Sequence, residues 1–435
     1  MKYCIYRSLL LSKQHFHRRY SSSSLTLYIN TYRSSQTWNE RQEYLKSWWR
    51  PGEMRGAVWM EQTVKNGAND HLLPPIKISS DVSHFQYENP TGDRSALRLT
   101  RIVSETLKLD MEDVRWFVMG DDDTLFFPYN LVRVLSKYDH NQYYYIGSTS
   151  ESHKQNIVFN SGMAYGGGGF AISYPLAKAL AKMQDRCIER YPGLYGSDDR
   201  IHACMSELGV PLTKEPGFHQ NDFYGDIFGF LAAHPITPLV SLHHFEKINP
   251  IIPRMERLQA LEKLRVPAEL DSAALMQQSI CYDKSRNWTV SVSWGYAVQI
   301  FRGIFYPREI ETIARTFWSW YQTVDPEGFA FSNRPYYKHV CYKPFVHFIS
   351  NASYNSSTDQ TLSEYVRRHN EYPPCDWKMA DPLRIDRVEV RKRPNPYLWD
   401  GAPRRNCCRS LPTEKNDTLV VNVAECREDE VIEVR

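Results

Sequence analysis

Residues Val114 to Phe127 form the stretch VRWFVMGDDDTLFF, in which a mainly apolar run leads into three aspartates. Its first half combines β-branched and aromatic residues, as is typical of a buried strand. Three adjacent aspartates, Asp121, Asp122 and Asp123, come directly after it. Ligands of open α/β sheets bind beyond the carboxyl ends of strands. The stretch therefore predicts a functional site there, with an exposed acidic turn as the alternative.

A divalent cation would account for three carboxylates in a row, because neighbouring carboxylates repel one another and raise each other's pKa. Ligands that are all oxygen favour Mn²⁺, with Mg²⁺ as the other choice, and both commonly bridge to phosphates of a substrate. An EF-hand calcium loop is excluded. Counting from Asp121, Phe126 and Val132 occupy the positions that require glycine and glutamate.

Helix-like and strand-like segments alternate around the acidic stretch. A Trp-rich segment before it has apolar residues at helical spacing: Trp38, Leu45, Trp48 and Trp49. Further strands and helices follow up to about residue 250. This order predicts an α/β sandwich with a mostly parallel central sheet.

Four regions are expected along the chain. Residues 1–35 have little periodicity and predict a poorly ordered segment with LTLYIN as its one strand candidate, and residues 36–250 hold the α/β domain. Residues 251–275 form a proline-marked connector. Residues 276–435 alternate at period two and are rich in turns and cysteine, which predicts a β-rich accessory domain.

Composition excludes several classes of protein. The chain has 435 residues and 42% hydrophobic content, enough for a large core. Its 53 basic and 50 acidic residues give a net charge of +3, which favours neither nucleic acid nor an anionic membrane as a partner. No apolar stretch approaches the roughly 20 residues of a membrane-spanning helix, so the sequence predicts no anchor in this chain.

Cysteines and glycosylation sequons cluster in the last third. Six of nine cysteines lie beyond residue 275, with sequons at Asn287, Asn351, Asn355 and Asn416. This clustering favours an oxidising, glycosylating compartment, although chance sequons and free thiols are the alternative. Adjacent cysteines do not readily bond each other, so Cys407 and Cys408 each need a partner among Cys281, Cys341, Cys375 and Cys426.

Three further motifs have ordinary structural explanations as well as functional ones. The glycine run at 166–169, which includes Gly167 and Gly168, either lets the backbone approach a ligand or forms a sharp turn. Asp198 and Asp199 open a helix after Ser197, the expected N-cap, and acids in a first turn are favoured by the helix dipole alone. The histidines in the segments FHQND and VSLHH can complete a metal shell or pack in the core.

Taken in order, these motifs resemble the Fringe-like glycosyltransferases of glycosyltransferase family 31. Seven stretches carry the resemblance, and they are most similar to plant Fringe-related proteins: WWRPGE, VRWFVMGDDDT, YGGGGFAISYPLAKALAKMQDRC, RYPGLYGSDDRI, LVSLHH, SVSWGYAVQI and RRNCCR. It runs from about residue 36 to the end. It implies a GT-A fold, a UDP-sugar donor, a glycan or glycoprotein acceptor and a manganese cofactor. It also implies inversion at the anomeric carbon, a β-1,3-type linkage and residence in the Golgi.

The resemblance also implies roles for single residues. Asp123 would hold the metal, Asp122 would contact the donor and Asp121 would support them. Asp199 would be the catalytic base, and Asp198 beside it, with Gly167 and Gly168, would contact the substrate.

The chain departs from the family pattern at a metal-binding histidine. The family has His-x-His where this chain has His219 and Asn221, and His243 is the expected substitute. Family members also have a membrane anchor. A non-catalytic carbohydrate-binding or scaffolding protein that keeps the fold is the alternative, and loss of the first strand or of the metal histidine would favour it.

Overall fold

The computed structural model describes residues 25–30, 34–64, 70–367, 375–428 and 430. These residues form two compact units. The N-terminal unit contains the described residues up to Asp222 and the segment Val240–Phe245, and the C-terminal unit contains Phe223–Leu239 and everything from Glu246 onward. The interval 251–275, expected to be a connector, belongs to the C-terminal unit and includes a long helix.

The N-terminal unit alternates strands and helices. Its strands are β1 (Leu25–Asn30), β2 (Arg55–Met60), β3 (Ile76–Ile78), β4 (Trp116–Asp121), β5 (Leu125–Phe126), β6 (Tyr145–Gly147), β7 (Phe170–Ser173), β8 (Leu212–Lys214) and β10 (Ser241–Leu242). Its helices are α1 (Ser34–Trp48), α2 (Ser95–Leu107), α3 (Pro128–Leu135), α4 (His153–Val158), α5 (Tyr174–Arg190) and α6 (Ser197–Glu207).

Seven of these strands form one mixed sheet in the order β3-β2-β1-β4-β7-β6-β8. The pairs β3/β2, β2/β1, β1/β4 and β6/β8 are parallel, whereas β7 runs antiparallel to both of its neighbours. The strand that ends in the aspartates, β4, lies in the middle. It is buried along its length until Asp121, the last residue of the strand. The Asp121 carboxylate therefore lies at the carboxyl end of a central strand.

The strand candidate LTLYIN within residues 1–35 forms strand β1. Leu25–Asn30 pairs with both β2 and β4 and so fills the centre of the sheet, with Asn30 in register with Asp121. Parallel pairing with residues about 90 positions away gives no local sequence signal, so LTLYIN looks isolated in the sequence. The rest of the segment 1–35, apart from Ser34 and Ser35 in α1, lies outside the described residues.

Helices α2, α5 and α6 supply the apolar side chains that cover the sheet. Ile102, Val103, Leu180 and Ile201 are all buried and share one core cluster with the sheet residue Phe117. A disulfide between Cys187 and Cys204 links α5 to α6. The start of α6, where Asp198 and Asp199 lie, is thereby held against the sheet.

Strands β5 and β10 form a small antiparallel ladder beyond the aspartates. Leu242 pairs with Leu125, and Ser241 pairs with Phe126. This pairing returns a distant part of the chain to the acidic stretch. It places His243, the residue after β10, next to the turn that contains Asp123.

The C-terminal unit is β-rich, as expected. Its strands are β9 (Phe223–Gly225), β11 (Gln278–Asp283), β12 (Trp288–Ser293), β13 (Ala297–Arg302), β14 (Ile313–Arg315), β15 (Phe317–Ser319), β16 (Asn333–Pro335), β17 (Phe345–Asn355), β18 (Gln360–Arg367), β19 (Arg387–Lys392), β20 (Cys407–Leu411) and β21 (Thr418–Ala424). Its helices are α7 (Phe228–Ala232), α8 (Arg257–Asp271) and α9 (Pro307–Glu311).

Eight strands of this unit form a second sheet in the order β11-β12-β13-β17-β18-β19-β21-β20. Disulfides join Cys281 to Cys408, Cys341 to Cys375 and Cys407 to Cys426. The six cysteines therefore make three bridges, and the adjacent pair takes separate partners, as the sequence predicts. Cys281 lies in β11 and Cys408 in β20, so one bridge connects the two edge strands of the sheet.

No helix among the described residues is long and apolar enough to cross a membrane.

Candidate active site

The three aspartates lie in a tight turn after β4. The Thr124 amide donates to the Asp121 carbonyl at 3.0 Å, and the Thr124 hydroxyl accepts from the Asp121 amide at 2.8 Å. The same hydroxyl donates to the Gly167 carbonyl at 2.7 Å, and the Trp48 indole N–H donates to the Thr124 carbonyl at 2.9 Å. These bonds fix the turn to the glycine run and to α1. Asp122 and Asp123 are buried, and Asp121 is partly exposed.

One buried cation faces these carboxylates. Arg41 in α1 pairs with Asp122 through Nη1, and the same atom lies 3.6 Å from Asp123 Oδ1. Burial and the neighbouring carboxylates together raise the pKa of Asp122 to about 8. Burial also raises the pKa of Asp121 to about 7, with Asp123 adding to the effect and His243 opposing it. The protein's own cations leave the cluster short of positive charge.

His243 is the other charged partner of the cluster. Its Nε2 lies 3.0 Å from Asp123 Oδ1 and 3.6 Å from Asp121 Oδ2. Burial favours the neutral ring, but Asp123 and Asp121 outweigh it and raise the pKa of His243 to about 9. Burial likewise opposes the charge on Asp123, yet His243 and Arg41 hold its pKa well below the ordinary value.

The side chains of Asp121, Asp123 and His243 fit a divalent cation. Each offers one ligand atom, and these atoms all lie within 4.8 Å of one another. Beside them, Asp122 Oδ2 is buried and has no hydrogen-bond partner among the described residues. Two carboxylates and an imidazole suit a metal such as Mn²⁺. A cation here would supply the charge that Arg41 and His243 only partly provide.

The ring of His243 is oriented by its other nitrogen. Nδ1 lies 3.2 Å from the Gln220 carbonyl oxygen, which can only accept, so Nδ1 carries the proton. The Asn221 side-chain amide donates to the His243 carbonyl at 2.9 Å. Such outer contacts fix the tautomer of a metal-ligating histidine and aim its free nitrogen. Here they aim Nε2 at Asp123.

The glycine run packs directly against these groups. A Cβ at Gly167 would lie 2.0 Å from His243 Cε1, and one at Gly168 would lie 2.9 Å from the Gln220 backbone nitrogen. Gly169 has φ +84°, which other residues rarely adopt. Gly167 and Gly168 are therefore required for close approach to protein groups of the site. Their contact with a substrate stays a prediction.

The two aspartates of α6 differ in their surroundings. Asp198 Oδ2 accepts the Gly166 amide N–H at 2.9 Å, and Oδ1 accepts the Ser197 hydroxyl at 3.1 Å. Through Gly166 it is tied to the loop that packs on His243. Asp199 is half-buried, and burial raises its pKa while Arg200 and His202 oppose the rise. Burial raises the pKa of Asp198 as well, so both aspartates have this property of a carboxylate base.

The N-cap of this helix lies one residue earlier than expected. Ser197 is the first residue of α6, and Gly196 is the N-cap, with no side-chain capping bond. The Ser197 hydroxyl instead contacts Asp198. The prediction that Ser197 caps the helix is wrong, because its side chain bonds to the neighbouring carboxylate.

His219 lies outside the cluster. Its Nδ1 is 3.0 Å from Glu151 Oε1, and both side chains are buried. Burial lowers the pKa of His219 to about 3, and burial together with Asp222 raises the pKa of Glu151 to about 8. The two form a neutral hydrogen-bonded pair at pH 7. Of the two histidine segments, the one expected to substitute for the missing ligand is the one that reaches the aspartates.

The sequence did not identify Arg41, Gln220 or Glu151, and it marked Asn221 only as a departure from the family's metal-binding histidine. A signal existed for Arg41, which lies three residues after Trp38 and so on the buried face of α1. A lone arginine on an apolar face needs a buried acid as its partner. Gln220 acts through its carbonyl, and no sequence pattern marks that role.

Comparison with known proteins identifies two overlapping family matches. Residues 83–223 match the Fringe-like family, and residues 155–408 match the family described as a protein of unknown function, DUF604. The second match covers more than half of the chain. Between them, the two matches include the aspartate turn, the glycine run and both aspartates of α6.

Two curated relatives are beta-1,3-glucosyltransferases. The Homo sapiens protein is 31% identical over 168 residues, which are 37% of this chain and 31% of that protein. The Mus musculus protein is 32% identical over 168 residues, covering 37% of this chain and 32% of that protein. The chain thus spans about a third of the length of the curated relatives it matches.

Two solved structures align more distantly. Mouse xyloside xylosyltransferase 1 has 8% identity and a TM-score of 0.31 over 44% of this chain and 84% of its own. A mannosyltransferase from Pyrobaculum calidifontis, in complex with GDP-Man and Mn²⁺, has 12% identity and a TM-score of 0.28, covering 61% and 81%. These scores are too low to establish a shared fold.

Proposed function

The chain belongs to the DUF604 family and contains a Fringe-like glycosyltransferase domain, and from this we propose that it is a metal-dependent, inverting hexosyltransferase. The donor would be a UDP-sugar with a GT-A-type site, and the acceptor a hydroxyl of a glycan or glycoprotein, joined in a β-1,3-type linkage. One observation carries the proposal: Asp121, Asp123 and His243 converge from distant parts of the chain on one point.

Each group of the site has a role in this reaction. A cation such as Mn²⁺, held by Asp123 and His243, would neutralise the donor's diphosphate and stabilise the charge on departing UDP. Asp122, paired with Arg41, would contact the donor, and Asp121 would support the metal-binding pair. The backbone of Gly167 and Gly168 packs beside them, and Asp198 positions this glycine run by accepting a hydrogen bond from the Gly166 amide.

Asp199 would act as the base. It takes the proton from the acceptor hydroxyl as that oxygen attacks the anomeric carbon. The bond from the anomeric carbon to the UDP oxygen breaks in the same displacement, and the electron pair leaves with UDP. A single displacement inverts the anomeric centre.

Two features support the enzyme over a non-catalytic protein with the same fold. The first strand of the sheet is present as β1, and a histidine lies beside Asp123. Loss of either would favour a binding or scaffolding protein.

UDP-sugar hydrolysis tests the proposal. The full chain is incubated with UDP-glucose, UDP-galactose, UDP-N-acetylglucosamine and UDP-xylose, with Mn²⁺ or with EDTA, and released UDP is measured. We expect release from at least one donor with Mn²⁺ and none with EDTA. UDP-glucose is the first choice, because the two relatives are glucosyltransferases by name. No release from any donor, with no Mn²⁺-dependent binding of UDP, contradicts the proposal.

We place the protein in the lumen of the secretory pathway, with the Golgi as its site of action. Eight cysteines are paired in four disulfides, and the sequon residues Asn287, Asn351, Asn355 and Asn416 are all exposed. Both features suit an oxidising, glycosylating compartment. Non-reducing mass spectrometry of native protein tests this. Free thiols at the bridge positions together with empty sequons would contradict it.

A further inference from the structure

Strands β9 and β15 of the C-terminal unit present aromatic side chains on one outward face. Trp318 in β15 is register-paired with Tyr224 in β9, so the two side chains lie on the same side of the ladder. Trp318 is 53% exposed, whereas its strand neighbours Phe317 and Ser319 are buried. The ring of Trp320 packs on that of Tyr224, with the two ring centroids 5.3 Å apart. We call Trp318, Tyr224 and Trp320 the aromatic platform.

The inner face of the same ladder anchors the strands that carry the platform. Phe223 and Phe317 point into a cluster of phenylalanine rings, with their own centroids 4.6 Å apart. Phe329 joins this cluster at 5.3 Å from Phe317. These buried aromatic contacts stabilise the two strands from which the rings on the other side project.

A polar side chain borders the platform. Gly225 of β9 bridges to Ile248, and the Asn249 amide donates to the Gly225 carbonyl at 2.8 Å. Ile248 is buried, whereas Asn249 is exposed, so Asn249 lies on the outer face, like Tyr224. The face therefore combines aromatic rings with an amide at its edge.

We propose that the aromatic platform binds a saccharide. One face of a hexopyranose presents several C–H bonds, whose partial positive charge matches the negative face of an aromatic ring. Its hydroxyls lie at the edge of the sugar ring, where the Asn249 side chain offers hydrogen bonds. That the bound saccharide is part of the acceptor rests on the proposed transferase function, but the binding does not.

The size of the platform favours a sugar over a protein partner. β9 and β15 have three residues each, or about 10 Å of strand. A specific protein interface buries about 800 Å² on each partner, far more than three rings and one polar side chain cover. A saccharide of a few residues matches the length of the platform.

Saturation-transfer NMR tests the proposal. The full chain, in EDTA and without nucleotide, is mixed at millimolar concentration with laminarihexaose, cellohexaose, xylohexaose and mannohexaose in turn. We expect saturation of ring C–H protons in at least one of them. Trp318→Ala should weaken that binding about five- to tenfold, since an aromatic contact of this kind is lost, and Trp318→Phe should restore most of it.

Tyr143→Ala is the matched control, because Tyr143 is an aromatic of similar exposure, 51%, in the other unit. It should not change saccharide binding. The proposal is overturned if none of the four oligosaccharides binds wild-type chain, or if Trp318→Ala binds as wild type does. It is also overturned if Trp318→Ala changes the oligomeric state by light scattering, which would make the platform a contact between copies.

UDP-sugar hydrolysis by the same wild-type preparation reports separately on the proposed transferase. Saccharide binding with neither hydrolysis nor Mn²⁺-dependent UDP binding would support the platform and contradict the transferase. Hydrolysis without saccharide binding would do the reverse.

Discussion

His219 and His243 are equally buried, at 3% exposure each, yet they occupy opposite electrostatic environments. His219 faces one glutamate, and the pair is neutral, with the pKa of the histidine lowered to about 3 by burial. His243 faces two aspartates, which overcome the same burial and raise its pKa to about 9. The number of carboxylates within reach, not burial, decides which histidine suits a cation.

Removing Asp123 should abolish the difference between the two histidines. We expect Asp123→Ala to eliminate Mn²⁺-dependent UDP binding, because it removes a charged ligand while leaving no large cavity. Calorimetry of UDP binding with and without Mn²⁺ measures this, and the melting temperature checks the fold. Glu151→Gln is the control, since it changes a carboxylate beside the other histidine. Equal UDP affinity in Asp123→Ala would refute the metal assignment.

Asp199→Asn should separate catalysis from metal binding, because it leaves both histidines intact. We expect turnover to fall by about 100-fold or more, the usual effect of losing a general base, with Mn²⁺ affinity unchanged. Burial raises the pKa of Asp199, and the base must be unprotonated. Activity should therefore fall on acidification at a higher pH than an ordinary aspartate would set, and the variant should lack this limb of the kcat/KM profile.

Asp198→Asn is the comparison for Asp199→Asn. Its amide keeps an oxygen that can accept the Gly166 N–H, so the loss of turnover should be milder. If Asp198→Asn is the more damaging of the two, Asp198 is the base.

Exchanging each histidine for glutamine tests the comparison directly. Losing a residue that supports a metal ligand typically weakens metal binding about 10- to 100-fold. His243→Gln removes a ligand itself, so it should weaken Mn²⁺ binding by at least that much. His219→Gln should change it less than about threefold, since the amide can still bond to Glu151. Electron paramagnetic resonance of free Mn²⁺ gives both affinities. Similar losses of Mn²⁺ affinity in the two variants would mean that His219 and His243 both bind the metal.

A smaller effect than at His243 is expected at Asn221, whose side-chain amide donates to the His243 carbonyl. Asn221→Gly keeps the positive φ of 54° accessible but removes the amide donor. Loss of one hydrogen bond, worth about 1 kcal/mol, should weaken Mn²⁺ binding about fivefold. Asp110→Gly, at another positive φ of 47° in the same unit, controls for backbone flexibility. An unchanged Mn²⁺ affinity in Asn221→Gly would show that His243 is held without it.

The sequence predicts those parts of the site that lie on single elements. The apolar run before Asp121 identifies β4, and the spacing of Trp38 and Leu45 identifies α1, because strand and helix periodicity are local properties. The resemblance to a known family directs attention to His243. The distance between Asp123 and His243 cannot be predicted, since it depends on the two-residue ladder β5/β10, which joins segments with no pattern of their own.

Two other features depend on long-range contacts in the same way. The sequence marks LTLYIN as a strand candidate, but its place at the centre of the sheet comes from two parallel neighbours. The Cys187–Cys204 bridge needs both helices to be packed before the two thiols meet. A signal for it exists in hindsight, because both cysteines lie on the buried faces of their helices.

The bridge between Cys281 and Cys408 governs how this protein can be made. It joins cysteines 127 positions apart, whereas the bridge in the N-terminal unit spans 17. During synthesis the first unit can acquire its bridge while the ribosome is still translating the second. The second cannot join its edge strands until Cys408 has emerged, and until then β11 is open to pairing with other chains. Production therefore requires an oxidising host compartment, and truncation before Cys408 should yield aggregates.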